Sequence, residues 1–262
     1  MENVLKKIIN KKKEKIKIYK KERSENELFE VIKDINNFID FKDKIKRRNS
    51  EQKISIIAEI KKSSPSAGIL VKNFNPLDIA KIYIENGASF LSVLTEEDFF
   101  LGNLIHITKI KQKINLPILC KDFFVDKFQV HLAKSYGADA ILIILAGISD
   151  ELANSLYEEA MKLNISVIVE VHTVDEAKKA LNFKNALIGI NNRNLKSLET
   201  SINTTYDIYN VLVNHPCPLV SESGIKTKDE LLEINKKTKI KTFLIGESLL
   251  KNLGDNSIFS VL

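Results

Sequence analysis

A chain of 262 residues, 44% hydrophobic, can bury a full core, yet it has no apolar run near the roughly 18 residues a membrane span needs. Two cysteines 97 positions apart and four scattered histidines (His106, His131, His172, His215) follow no metal or redox spacing, so neither a metal centre nor a disulfide framework is expected. The net charge of +6 is lopsided: residues 1–50 carry 16 Lys/Arg and 9 Asp/Glu, the remainder 24 and 25.

A basic leader can mark a nucleic-acid or anionic-membrane surface. Here Glu14, Glu22, Glu25, Glu27 and Glu30 interrupt the run, and few aromatic residues are present for stacking. Val4, Leu5, Ile8, Ile9 and Ile16 recur at helical spacing, so residues 1–50 are expected to form a solvated amphipathic helical extension packed on the remainder of the chain. No signal-peptide core is present at Met1, and a cytoplasmic protein without nucleic-acid or membrane partners is expected.

From about residue 50, short apolar runs begin near Lys53, Ser89, Leu116, Asp139, Ser166, Ala186, Pro218 and Lys241, with helical patterns between them. Pro76 suits the first turn of one such helix. Eight strands alternating with helices predict an α/β fold, a (β/α)8 TIM barrel over residues 51–262 preceded by the helical extension. A doubly wound sheet is the alternative, but no GxGxxG turn follows an early strand. No Pro/Gly/Ser linker divides the chain, so one domain is expected.

In such a barrel the chemistry lies at the C-terminal ends of the strands. Glu59 and Lys61, two apart, share one face of the first strand. The second strand ends in Thr95-Glu96, the third in Lys121-Asp122-Phe123, the fifth at Glu170, the sixth in Asn191-Asn192-Arg193 and the seventh in Ser221-Glu222-Ser223-Gly224. Lys61 and Lys121, Glu59, Glu170 and Glu222, Asn191 and Arg193 thus converge on one rim. The fourth strand, Ile141 to Leu145, offers only apolar atoms, as a wall against an aromatic group would. Gly224 and Gly246 follow the last two strands, where backbone N–H groups commonly bind phosphate. Cys120 and Cys217 fall at opposite rims, which excludes a disulfide.

These segments, in order, resemble the indole-3-glycerol phosphate synthase family. The resemblance runs through Ala58-Glu59-Ile60-Lys61, Ser64-Pro65-Ser66, Phe99-Phe100-Leu101-Gly102, Lys121-Asp122-Phe123, Val169-Glu170-Val171-His172, Gly189-Ile190-Asn191-Asn192-Arg193, Ser221-Glu222-Ser223-Gly224 and Gly246-Glu247-Ser248. It implies a lyase that closes 1-(2-carboxyphenylamino)-1-deoxyribulose 5-phosphate to indole-3-glycerol phosphate, with loss of carbon dioxide and water, in tryptophan biosynthesis.

By this resemblance Lys121 is the general acid. Lys61 holds the carboxylate and assists dehydration, and Glu59 governs its proton or acts as the late base. Glu170 is a base or stabilises charge on the anilino nitrogen. Asn191 and Arg193 fix hydroxyls and the carboxylate, and Glu222 orients the network through Arg193 or Lys61. Ser64, Ser223, Gly224, Gly246 and the backbone of Glu247 match the phosphate region, with Pro65 beside them; Phe100, Phe123 and Leu142 match the aromatic wall. Neither cofactor nor metal is implied. A monomer or weak homo-oligomer is expected, with association to other tryptophan-pathway enzymes left open. Three positions depart from the family pattern: Cys120, Lys127 and Asn194, the last expected to loosen the loop that holds Arg193. The alternative reading is another phosphosugar isomerase or lyase on a phosphate-binding barrel. A nucleic-acid-binding protein built on the basic leader is a more distant one.

Overall fold

The structure, a computed structural model, describes residues 4–251 and 257–262. Three helices come first: α1 (Val4–Glu22), α2 (Glu25–Lys33) and α3 (Phe41–Ser50). Ser24 and Glu27 close a capping box on α2, and the Asp40 side chain caps α3, so each start is set by the local sequence.

Eight strands form the barrel: β1 (Ser55–Ile60), β2 (Phe90–Leu94), β3 (Ile118–Lys121), β4 (Ala140–Ile144), β5 (Ser166–Val171), β6 (Leu187–Asn191), β7 (Leu219–Glu222) and β8 (Thr242–Ile245). Each pairs in parallel with its neighbours, and β8 returns to β1 through Ser55↔Thr242 and Ala58↔Ile245, closing the barrel. The strands are buried on both faces, so they are near-continuous apolar runs rather than alternating ones. Helices α4 (Pro76–Glu85), α5 (Ile105–Lys111), α6 (Phe128–Ser135), α7 (Asp150–Lys162), α8 (Val174–Ala180), α9 (Asn203–Leu212), α10 (Lys228–Thr238) and α11 (Glu247–Lys251) succeed the eight strands in turn. Pro76 occupies the first turn of α4, where a missing N–H leaves no bond unmade. All eight expected strands form, within two residues of where the apolar runs begin.

The barrel interior is filled by Ile57, Phe90, Leu119, Ala140, Leu142, Ile168, Leu187, Val220 and Leu244. Phe41 and Ile45 of α3 belong to the same cluster, so α3 plugs the N-terminal end of the barrel. Arg48 fastens the plug, donating to Ser55 Oγ and the Ile54 carbonyl at 2.8 Å each. The outward-facing residues, among them Ile56, Leu91, Ile118 and Val167, meet the surrounding helices.

Helix α1 lies towards the opposite end. Leu5, Ile9 and Ile16 pack with Leu28 of α2 and with Phe128 and Leu132 of α6. Lys12 departs from the solvated face expected for the leader: it is 3% exposed, with Nζ 2.9 Å from Asp122 Oδ1 and 3.0 Å from Glu97 Oε2. Tyr19 also donates to Glu97. These two acids come just after β3 and β2, so a buried ion-pair cluster ties α1 to the rim of the barrel.

Candidate active site

Side chains alternate along a strand, so Ile57, Glu59 and Lys61 all point to the barrel axis, in order of rising height. Glu59 is buried, and its Oε1 accepts from Lys61 Nζ at 2.5 Å. Lys121 ends β3 and reaches across the barrel, with Nζ 2.7 Å from Glu222 Oε2 on β7 and 3.3 Å from Glu170 Oε2 on β5. Glu222 therefore holds Lys121. The expected link through Arg193 or Lys61 does not form, because Arg193 has left the axis: its Nη1 donates to the Leu198 carbonyl at 2.6 Å and its Nη2 lies 3.7 Å from Glu247. Asn191 bonds Glu170 with its side chain and accepts from the Arg193 amide at 3.0 Å.

Two glycines make room for the acids. A Cβ on Gly189 would stand 2.0 Å from Glu222 Oε1, and one on Gly246 would stand 2.4 Å from Glu59 Oε1. Any other residue at either place would push a carboxylate off its lysine. The sequence alone places Gly246 at the phosphate and gives Gly189 no role.

Burial and charge oppose each other throughout. Burial pushes Glu59 up, but the ammonium groups of Lys61 and Lys121 outweigh it and leave the carboxyl below its ordinary value. Burial likewise raises Glu170, yet Lys121, His172 and Asn191 together hold it well below the usual range. Burial would lower Lys121, but Glu222, Glu170 and Glu59 drive it well above the usual lysine value, so it is an ammonium. Glu222 goes the other way: fully buried, with Glu170 nearby, it is pushed up to about 7 despite Lys121. Its second oxygen, Oε1, has no hydrogen-bond partner, which suits an acid that carries a proton part of the time.

Two adjoining cavities open over these groups. One, of about 140 Å³, has an apolar wall of Leu94, Phe100, Phe123, Leu142 and Ile144, with Val4, Leu5 and Ile8 of α1 as its roof. The other, of about 530 Å³, is polar and is lined by Ser223, Gly224, Gly246, Glu247, Lys226 and Lys251. Lys61, Ser66, Arg193 and Ser223 border both. Ser64 and Pro65 line the apolar cavity and not the polar one that holds Gly224, Gly246 and Glu247; Ser64 Oγ accepts from the Ala67 amide at 3.2 Å. The Glu247 carboxylate turns to Lys251 Nζ, 2.7 Å away.

The loops are organised by their own polar residues. The Glu96 carboxylate accepts from the amides of Asp98, Phe99 and Phe100, and so presents Phe100 to the cavity. Asn194 does not loosen its loop: its Oδ1 accepts from the amides of Lys196 and Ser197, which closes a turn an aspartate would close in the same way. Cys120 and Cys217 are both free and buried, and Lys127 is exposed ahead of α6. Sequence reasoning gave no role to Lys12, whose partners Glu97 and Asp122 come from distant segments, or to His172, whose contacts with Glu170 and Glu176 depend on how the chain turns from β5 into α8. Among the described residues, no group of three or more His, Cys, Asp or Glu could hold a metal ion, and no helix is long and apolar enough to cross a membrane.

Lysines held against buried carboxylates at the C-terminal mouth of a parallel barrel, beneath an apolar and a polar lobe, define an acid–base enzyme of the (β/α)8 class. Solved structures bear out the fold alone: tryptophan synthase α chain from Legionella pneumophila (TM-score 0.61, 12% identity, 85% of this chain and 93% of that one) and phosphoribosylanthranilate isomerase from Thermotoga maritima (TM-score 0.53, 10%, 79% and 94%). The family model for indole-3-glycerol phosphate synthase matches residues 5–259. Relatives of that name include one from Zymomonas mobilis subsp. pomaceae, 37% identical over 96% of this chain and 94% of its own, and one from Burkholderia lata, 41% identical over 81% and 80%. The chain belongs to the indole-3-glycerol phosphate synthase family, the decarboxylating lyases of tryptophan biosynthesis.

Proposed function

We propose that the barrel mouth binds 1-(2-carboxyphenylamino)-1-deoxyribulose 5-phosphate with its aromatic ring in the apolar lobe and its phosphate in the polar lobe. The observation that carries this reading is the placing of two lysines on buried carboxylates: Lys61, on Glu59, borders both lobes, and Lys121, on Glu222, lines the apolar one. A carboxyphenyl ring fits Phe100, Phe123 and Leu142. A phosphate fits the backbone of Gly224, Gly246 and Glu247 with Ser223 and the cations Lys226 and Lys251 close by.

The ring carbon that bears the carboxylate attacks the C2 carbonyl carbon, and the carbonyl π pair moves to oxygen. Lys121 donates a proton to that developing alkoxide; an ammonium held by Glu222 and Glu170 is aimed and charged for this role. The new cationic ring then takes the bonding pair of the C–CO2 bond as carbon dioxide departs, so no separate electron sink is required. Loss of the hydroxyl as water, with Lys61 supplying the proton and Glu59 or Glu170 removing one of the two C1 protons, completes the indole. Lys61 and Arg193 border both lobes, which suits them to the carboxylate and the hydroxyls; Asn191 steadies Glu170. Residues 1–50 and the barrel at 51–262 act as one domain in this reading, because α1 roofs the apolar lobe and Lys12 anchors it. Purified protein incubated with the substrate should release a product with indole fluorescence; no signal at micromolar enzyme sinks the proposal.

A further inference from the structure

Three carboxylates, Glu59, Glu170 and Glu222, are buried at the barrel axis against two ammonium groups, Lys61 and Lys121. Even with Glu222 protonated part of the time, the acids outnumber these cations, a costly arrangement for buried carboxylates. The missing cation stands two residues beyond Glu170. His172 comes directly after β5, and the period of two carries its side chain to the same side as Glu170. Its side chain is only 6% exposed. Nε2 lies 3.2 Å from Glu170 Oε1, off the direction of a ring hydrogen bond but in ion-pair contact. Nδ1 lies 3.4 Å from Glu176 Oε2 on α8, and the His172 amide donates to that same oxygen at 2.7 Å. Glu176 is itself held at the start of α8, where its amide donates to the Thr173 side chain.

We propose that His172 is a positioning residue for the ring closure: as an imidazolium it bridges Glu170 to Glu176, fixes the Glu170 carboxylate beside Lys121, and balances the third buried acid of the mouth. The proposal rests on the reading of Glu170 as a group that meets the reacting substrate. A carboxylate has two oxygens to place. Lys121 and His172 take one each, so Glu170 can neither rotate nor collect a proton without losing a cation. The groups that face His172 are Glu170 from β5 and Glu176 from α8; Lys121 of β3 and Asn191 of β6 reach Glu170 from its other side. Burial alone would make the imidazole neutral, but the two glutamates outweigh it and push the group up to about 9. A role confined to anchoring α8 predicts a change in stability with no change in the pH profile of turnover, which separates the two.

The test has two arms. Imidazole nitrogen NMR of the intact protein without substrate should show one histidine doubly protonated beyond pH 8; it should be missing in His172→Gln and should titrate lower in Glu176→Gln. In the second arm, His172→Gln should lower kcat about 10-fold or more with KM changed by less than about threefold, since a displacement near 1 Å at a reacting group can cost up to 10². The acidic limb of its kcat profile should move up by about one pH unit, because Glu170 then takes up a proton more readily. His172→Lys, which restores the charge, should recover part of kcat. A His172 neutral at pH 7 in the native protein overturns the proposal, as does a His172→Gln profile that superimposes on the native one. Failure of the native protein to turn over the substrate removes the function reading instead, and the NMR arm still decides whether the bridge exists.

Discussion

Replacing Lys121 by methionine keeps most of the side-chain volume and removes only the charge. The change strands two fully buried carboxylates, Glu222 at 2.7 Å and Glu170 at 3.3 Å from the lost nitrogen. At an effective dielectric of about 20, each forfeits an attraction of order 5 kcal/mol, partly offset because one ammonium no longer has to be desolvated. Breaking a buried pair by removing one partner usually amounts to about 3–5 kcal/mol, and that range is expected at pH 8.5, where both acids of the variant should be ionised. For a chain of this size, that is a fall in Tm of roughly 10 °C. The variant can escape by protonating its carboxyls. Their folded-state pKa then lies above the unfolded one, so stability is retained at low pH and lost as pH rises through the raised value. Lys121→Met should therefore sit close to the native Tm at pH 5.5 and far below it at pH 8.5, while turnover falls by about 10² or more at either pH. Thermal melts across that range and the fluorescence assay measure both. An equal loss of stability at the two pH values would refute the charge reasoning, and turnover within tenfold of native would refute the role of Lys121.

Four further outcomes are expected from the same geometry. Gly189→Ala puts a Cβ 2.0 Å from Glu222 Oε1 and 3.0 Å from Ile168 Cγ2, so Glu222 must retreat by roughly 1 Å, and kcat should drop by up to about 10² with KM little changed. Glu222 at about 7, above its unfolded value, contributes stability that is fully present below pH 4.5 and lost as pH rises through 7; Glu222→Gln should flatten that slope, by about 3 kcal/mol between the two extremes, in melts at pH 4.5 and pH 8.5. Lys12→Met unpins the roof of the apolar lobe, and steady-state kinetics should show KM raised severalfold with a smaller change in kcat, beside a stability loss of about 3 kcal/mol. Lys61→Ala should lower turnover by about 10² in the fluorescence assay while leaving the Lys121–Glu222 pair in place; it strands buried Glu59, whose carboxyl then sits higher, so Tm should fall more at pH 8.5 than at pH 5.5.

Much of this site is legible in the amino-acid sequence, and for a simple reason. Strand period two and the rule that barrel chemistry sits at strand ends convert positions such as Glu59, Lys61, Lys121 and Glu170 directly into one rim. The fold is legible likewise, since eight apolar runs separated by helical patterns leave few other topologies. Pairings are harder. The family resemblance assigns Glu222 to Arg193 or Lys61, but which cation an acid meets depends on barrel diameter and on the reach of a lysine from the opposite wall. Asn194 reads as a weakness because a family comparison registers a changed residue, not that an amide oxygen accepts the same two N–H groups.

What the order of residues determined alone is the barrel, the strand carrying each functional group, and the direction in which each side chain points. Those are local properties of helices and strands, written in period and capping. Only the tertiary structure decided that Glu222 holds Lys121, that Lys12 is buried, and that Gly189 and Gly246 leave room for the carboxylates of Glu222 and Glu59. Each of these depends on atoms brought within about 3 Å from distant parts of the chain, or on how burial and charge compete there, and neither is a property of any one segment.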